Sequence, residues 1–94
     1  MDVHQPATTL SILHLEDSAN DHRLACRVLD KSRFQYTIRR VETLSAFTDA
    51  ALSGAFDLVL ADYRLAGFTA VDAWTSLPTN CLRPPFILLS GAIG

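Results

Sequence analysis

The sequence predicts one α/β domain, a doubly wound parallel sheet with helices on both faces. Three observations predict it. Short apolar runs alternate with helix-periodic segments in the order β-α-β-α-β-α-β along 94 residues. The connections between them are a few residues long, and parallel neighbours need crossovers of this kind. One run, Asp57-Leu58-Val59-Leu60-Ala61-Asp62, is apolar on both faces, as a central strand of a parallel sheet is.

The elements follow in chain order. Ser11-Ile12-Leu13-His14-Leu15 is a short strand that stops abruptly at Glu16-Asp17-Ser18. From Asn20 to Lys31, Leu24, Ala25, Val28 and Leu29 recur at helical spacing, with Asp21, Arg23, Arg27 and Asp30 on the other side. Tyr36 to Val41 is rich in β-branched and aromatic residues and reads as the second strand. Leu44, Phe47, Ala51 and Leu52 form the stripe of a second helix, closed by Gly54.

After the strand that ends at Asp62, a turn containing Gly67 leads to a third helix. Thr69 caps it, with Asp72 completing a capping-box pattern, and Ala70, Ala73, Trp74 and Leu77 supply its buried stripe. Pro78 suits its end, and Pro84-Pro85 precede a fourth strand, Phe86-Ile87-Leu88-Leu89-Ser90. Residues 1–10 read as a flexible polar leader, and 11–94 as the domain.

Composition narrows the function. Nearly half the residues (49%) are apolar and 19% are charged, which suits a soluble globular domain. The net charge is −2 and the densest basic cluster is the pair Arg39-Arg40, so direct nucleic-acid binding by this segment is not expected. No apolar run is long enough to span a membrane, and the N-terminus lacks a cationic apolar signal sequence. Cys26 and Cys81 form no C-x-x-C motif and are expected to be reduced and structural, in a cytoplasmic setting.

Polar chemistry in such sheets collects at the carboxyl ends of the strands. Three of the four predicted strands end there in a polar or acidic residue: Glu16-Asp17, Asp62 and Ser90. Singly, each reads as a turn former or cap; the fold brings them to one spot. Two unit charges about 4 Å apart repel by roughly 4 kcal/mol at an effective dielectric near 20. Such a cluster calls for a cation or for a proton on one group. An all-oxygen site suits Mg²⁺, and a carboxylate beside it can attack phosphorus to form an acyl phosphate.

The runs Leu13-His14-Leu15-Glu16-Asp17-Ser18, Asp57 to Asp62 and Phe86-Ile87-Leu88-Leu89-Ser90-Gly91 resemble the three diagnostic strands of response-regulator receiver domains of the chemotaxis-regulator kind. The spacings, 45 residues from Asp17 to Asp62 and 28 from Asp62 to Ser90, are similar too. The resemblance spans about residues 11 to 94 and implies a flavodoxin-like fold, here with strand order 2-1-3-4. It implies Asp62 as phospho-acceptor. Glu16, Asp17, Asp62 and the main-chain carbonyl of Arg64 would hold Mg²⁺, and Ser90 would contact the phosphoryl group and act as the switch. The partner it implies is a sensor histidine kinase or phosphotransfer protein. The chain would be a self-phosphorylating acceptor, not a turnover enzyme.

Two departures stand out. Leu65-Ala66-Gly67 has alanine where many receivers have proline. The family's fourth helix, lysine-bearing fifth strand and fifth helix are absent, and Lys31, the only lysine, lies on the first helix. The fourth strand is therefore expected to be an open edge through which two copies pair, with Leu24 and Val28 exposed. Phosphoryl transfer and switching are expected to be impaired. The alternatives are a receiver-like docking module that is not phosphorylated and, less favoured, a metal-dependent phosphatase of the haloacid dehalogenase type. The latter needs an Asp-x-Asp after its first strand, which Glu16-Asp17-Ser18 does not supply. No G-x-G-x-x-G follows the first strand, which disfavours a dinucleotide fold. His14 is expected to be packed in the core and His22 to be solvated.

Overall fold

The computed structural model describes residues 9–78 and 83–89. Its main sheet has four parallel strands, β1 (Thr9–Leu15), β2 (Gln35–Val41), β3 (Leu58–Asp62) and β6 (Phe86–Leu89), in the order β2-β1-β3-β6. The strand order agrees with the expected 2-1-3-4, and the fold is the flavodoxin-like arrangement. Helices α1 (Ala19–Asp30), α2 (Leu44–Leu52) and α3 (Ala70–Ser76) fill the crossovers. β1 begins at Thr9, two residues before the Ser11 start that the apolar pattern predicts.

The side-chain alternation of β1 and β3 divides the molecule into two unequal faces. Leu13, Leu15, Val59 and Ala61 point to the side covered by α2 and α3. There they join Phe47, Ala50, Ala51, Ala70, Ala73 and Leu77 in one buried cluster. Phe86 packs edge-on against both Phe47 and Trp74, with ring centroids 5.6 and 4.9 Å away, and so closes this core at the β6 side. The opposite face carries His14 and Leu60 beneath α1 and is thinly covered.

Helix ends follow the local chemistry. The Ser18 and Thr43 hydroxyls accept from the backbone N–H groups of Asp21 and Ala46. Thr69 and Asp72 form the reciprocal capping box that their spacing predicts. The connection from Asp62 to α3 holds a feature that the sequence reading lacks. Arg64–Leu65 (β4) and Phe68–Thr69 (β5) pair as an antiparallel hairpin around Ala66-Gly67. Gly67 has a φ of 88°, a conformation that costs a residue with a Cβ but not glycine.

Leu24 and Val28 of α1 are exposed, as expected, and the helix turns a different stripe to the sheet. No residue of α1 is fully buried. The half-buried positions are His22, Ala25, Cys26 and Leu29, whereas Leu24 and Val28 are 52% and 69% exposed. The helix is turned so that His22 and Cys26 face the sheet, because the buried His14 imidazole offers His22 a hydrogen-bond partner there. His22 is thus not the solvated residue that the sequence suggests.

Among the described residues β6 is an end strand of the sheet, and Ile87, Leu88 and Leu89 are exposed on it. This agrees with the open edge expected of the fourth strand. Ser90, Gly91, Cys81 and residues 1–8 of the expected leader lie outside the described residues.

Candidate functional site

Three strand ends meet at the carboxyl edge of the sheet. The registers Leu15↔Ala61 and Leu15↔Val41 level the end of β1 with those of β2 and β3. Glu16 follows immediately, its backbone N–H donating to the Val41 carbonyl at 3.0 Å. Asp62 ends β3, one position past the level of Leu15. Glu16, Asp17 and Asp62 each present a carboxylate oxygen within 4.8 Å of the others. Glu16 is buried, Asp62 half-buried and Asp17 exposed.

Backbone donors set the orientation of these groups. Glu16 Oε2 accepts from the Ser18 N–H at 3.2 Å. Asp17 Oδ2 accepts from the Ala66 N–H at 2.8 Å, which ties the loop after β1 to the β4–β5 turn. The Ala66-Gly67 turn therefore helps to build the site, and its amide is a contact that the sequence reading does not anticipate. The only sequence signal for it is Gly67.

The electrostatics are those of a site short of positive charge. Burial pushes the Glu16 carboxyl up to about 7; the Ser18 N–H opposes this, and the charges of Asp62, Asp21 and Asp17 add to the rise. Asp62 is also raised, first by burial, with the Tyr63 N–H opposing and Asp17 and Asp21 contributing. A cation with oxygen preference fits this donor set: hard carboxylate ligands, close together, one of them buried among like charges.

A cavity of about 510 Å³ opens beside the cluster, between α1 and the ends of β3 and β6. His14 and Leu60 line its floor, Leu24 and Val28 one wall, and Glu16 and Asp62 its acidic end. His14 is fully buried, and its value falls to about 4 through burial, the neighbouring His22 and Arg40. His22 is lowered as well, by burial and then Arg40.

Of the residues singled out from sequence, Glu16, Asp17 and Asp62 come together. Arg64 lies two positions beyond Asp62, its backbone paired with Thr69 in the hairpin. Ser90 follows β6 and lies outside the described residues. Among the described residues, no other group of three or more acidic, histidine or cysteine side chains is close enough to share a metal ion.

Two solved structures share this fold. One is a MaeR response regulator bound to beryllium trifluoride, with TM-score 0.73 and 27% identity over 88% of this chain and 68% of that one. The other is an aspartate-to-alanine mutant of the MaeR response regulator bound to sulfate, with TM-score 0.75 and 27% identity over 90% and 70%. The chain has the fold of these response regulators, and the likeness supports a receiver domain. No family model matches this chain, and no curated protein matches it significantly. The assignment therefore rests on the fold, on the acidic cluster at its expected edge and on these structural relatives. Receivers belong to two-component signalling, and the likeness to these response regulators supports that setting for this chain. Among its described residues no helix is long and apolar enough to cross a membrane.

Proposed function

We propose that this receiver accepts a phosphoryl group on Asp62 from a sensor histidine kinase or a phosphotransfer protein, with Mg²⁺ as cofactor. The observation that carries the reading is the meeting of the Glu16, Asp17 and Asp62 carboxylates at the sheet edge. Support comes also from the similar MaeR chains, which are bound to beryllium trifluoride and to sulfate. Sulfate is a tetrahedral oxyanion, and beryllium trifluoride becomes tetrahedral when it bonds a carboxylate oxygen. Both have the shape of a phosphoryl group.

Glu16, Asp17 and Asp62, with the main-chain carbonyl of Arg64, would hold the ion. When bound, Mg²⁺ supplies positive charge that lets an anionic nucleophile approach an anionic phosphoryl group. The chain's own residues do the rest. An Asp62 oxygen attacks phosphorus, the bond from phosphorus to the donor imidazole nitrogen breaks, and the electron pair leaves with the imidazole. Ionised Asp62 is required, so the loss of its neighbours' repulsion on cation binding prepares the nucleophile. The Tyr63 N–H favours the charged form throughout. The Ser90 hydroxyl is assigned the phosphoryl contact and the switch. The acceptor is consumed by transfer, so the domain is a signalling substrate and not a turnover enzyme. Pairing of two copies through the open edge of β6 belongs to the same reading.

The test is intact-mass spectrometry after incubation with acetyl phosphate and Mg²⁺. A gain of one phosphoryl group on a fraction of the molecules, which vanishes in Asp62→Asn, is expected. The same mass in both proteins would favour a docking module that is not phosphorylated.

A further inference from the structure

Buried groups normally find hydrogen-bond partners. His14 is 0% exposed, and its Nε2 has none among the described residues. That nitrogen faces the acidic end of the cavity, 3.9 Å from Glu16 Oε1. The other Glu16 oxygen is already taken by the Ser18 N–H. On its far side the His14 ring is engaged: its Nδ1 lies 2.8 Å from Nδ1 of His22, and His22 Nε2 lies 3.6 Å from the Cys26 thiol sulfur.

The chain Cys26, His22, His14, Glu16 has two directions in which its protons can run. In one, the thiol donates to His22 Nε2, His22 Nδ1–H donates to His14 Nδ1, and His14 Nε2–H points at Glu16. In the other, every donor is reversed and His14 presents a lone pair to the carboxylate. An ionised carboxylate only accepts, so a direct contact with a charged Glu16 needs the first order. At 3.9 Å the two groups need either a closer approach or one water, which in that order accepts from Nε2–H and donates to the carboxylate.

Resting on the metal-binding reading of the acidic cluster, we propose that His14 is a positioning residue of the cation site. It donates from Nε2 to Glu16, directly or across one water, and so fixes the carboxylate that the ion needs. His22 holds His14 in the required tautomer. Groups of this kind, one step out from the ligands, commonly change metal affinity by about ten- to a hundredfold when removed.

The test uses the 94-residue chain and Mg²⁺ alone. Ring-nitrogen NMR on histidine-labelled protein reads the tautomers without any substitution. The expected result is a proton on Nε2 of His14 and on Nδ1 of His22, with both rings shifting as Mg²⁺ is added. Calorimetric titration of His14→Leu is expected to show Mg²⁺ affinity about tenfold weaker, partly restored in His14→Gln, whose amide can donate from a similar place. A proton on Nδ1 of His14 at saturating Mg²⁺, or a folded His14→Leu that binds Mg²⁺ as tightly as the parent chain, would overturn the assignment. A parent chain that binds no Mg²⁺ would remove the metal reading and this inference together, whereas equal binding by parent and variant removes this inference alone.

Discussion

Glu16 and His14 sit two positions apart on the same face of the first strand's end, and burial moves their protonation in opposite senses. Glu16 rises to about 7 and His14 falls to about 4, so both are uncharged in the folded chain across mildly acidic pH. In the unfolded chain each titrates near its ordinary value. An acid raised on folding loses stability as pH climbs from about 4.5 to about 7. A base lowered on folding gains stability as pH climbs from about 4 to about 6.5. Each contribution is about 3 kcal/mol at most, and over the shared window they offset each other. In metal-free buffer, urea midpoints of the parent chain should therefore change little through this pair. Glu16→Gln should make stability rise with pH over that window, and His14→Leu should make it fall. The reverse slopes would contradict the burial argument. At this scale the three carboxylates were legible because each ends a strand in the sequence. The histidine pair was not. The stronger apolar pattern of Leu24 and Val28 hid the alternative helix face on which His22, Ala25, Cys26 and Leu29 recur at the same spacing.

Among the elements, the strands and helices were readable from periodicity and caps, and the Thr69–Asp72 box was legible from its spacing alone. The β4–β5 hairpin was not. Two-residue strands carry too few side chains to produce a pattern, and their stability comes from backbone pairing. Its one trace is Gly67, whose φ of 88° marks the second position of the turn. A Cβ there would meet nothing within 4 Å, so the cost of alanine is backbone strain alone. Gly67→Ala should destabilise the chain by about 1 kcal/mol in denaturant unfolding, with Mg²⁺ affinity reduced because the Ala66 amide that steadies Asp17 shifts with the turn. Unchanged stability and unchanged binding would mean that the turn does not help to order the site.

For the molecule as a whole, apolar surface is distributed unevenly. The side covered by α2 and α3 holds the buried cluster, while Leu24, Val28, Ile87, Leu88 and Leu89 remain exposed on and around β6 and α1. An end strand with apolar side chains on both faces invites pairing, and a lysine placed on it opposes that. Sedimentation should show concentration-dependent self-association of the chain, and Leu88→Lys should shift it toward monomer without loss of the fold. A parent chain that stays monomeric at high concentration would end the pairing proposal. Short crossovers and a doubly apolar third strand made the parallel sheet legible, whereas its strand order came from the resemblance to receiver domains. The one-sidedness of the core was not legible, since both faces of β3 look equally apolar in sequence.

That one-sidedness gives the first helix an unusual freedom. With no side chain fully enclosed, α1 is fastened mainly by its serine cap, its tyrosine and histidine hydrogen bonds and a partial stripe. No residue of α1 belongs to the opposite layer's core, so loosening of the helix from the sheet would leave that layer closed. The half of the acidic cluster contributed by the loop before α1 would then detach from Asp62 without global unfolding, so occupancy of the cluster and docking of the helix are linked equilibria.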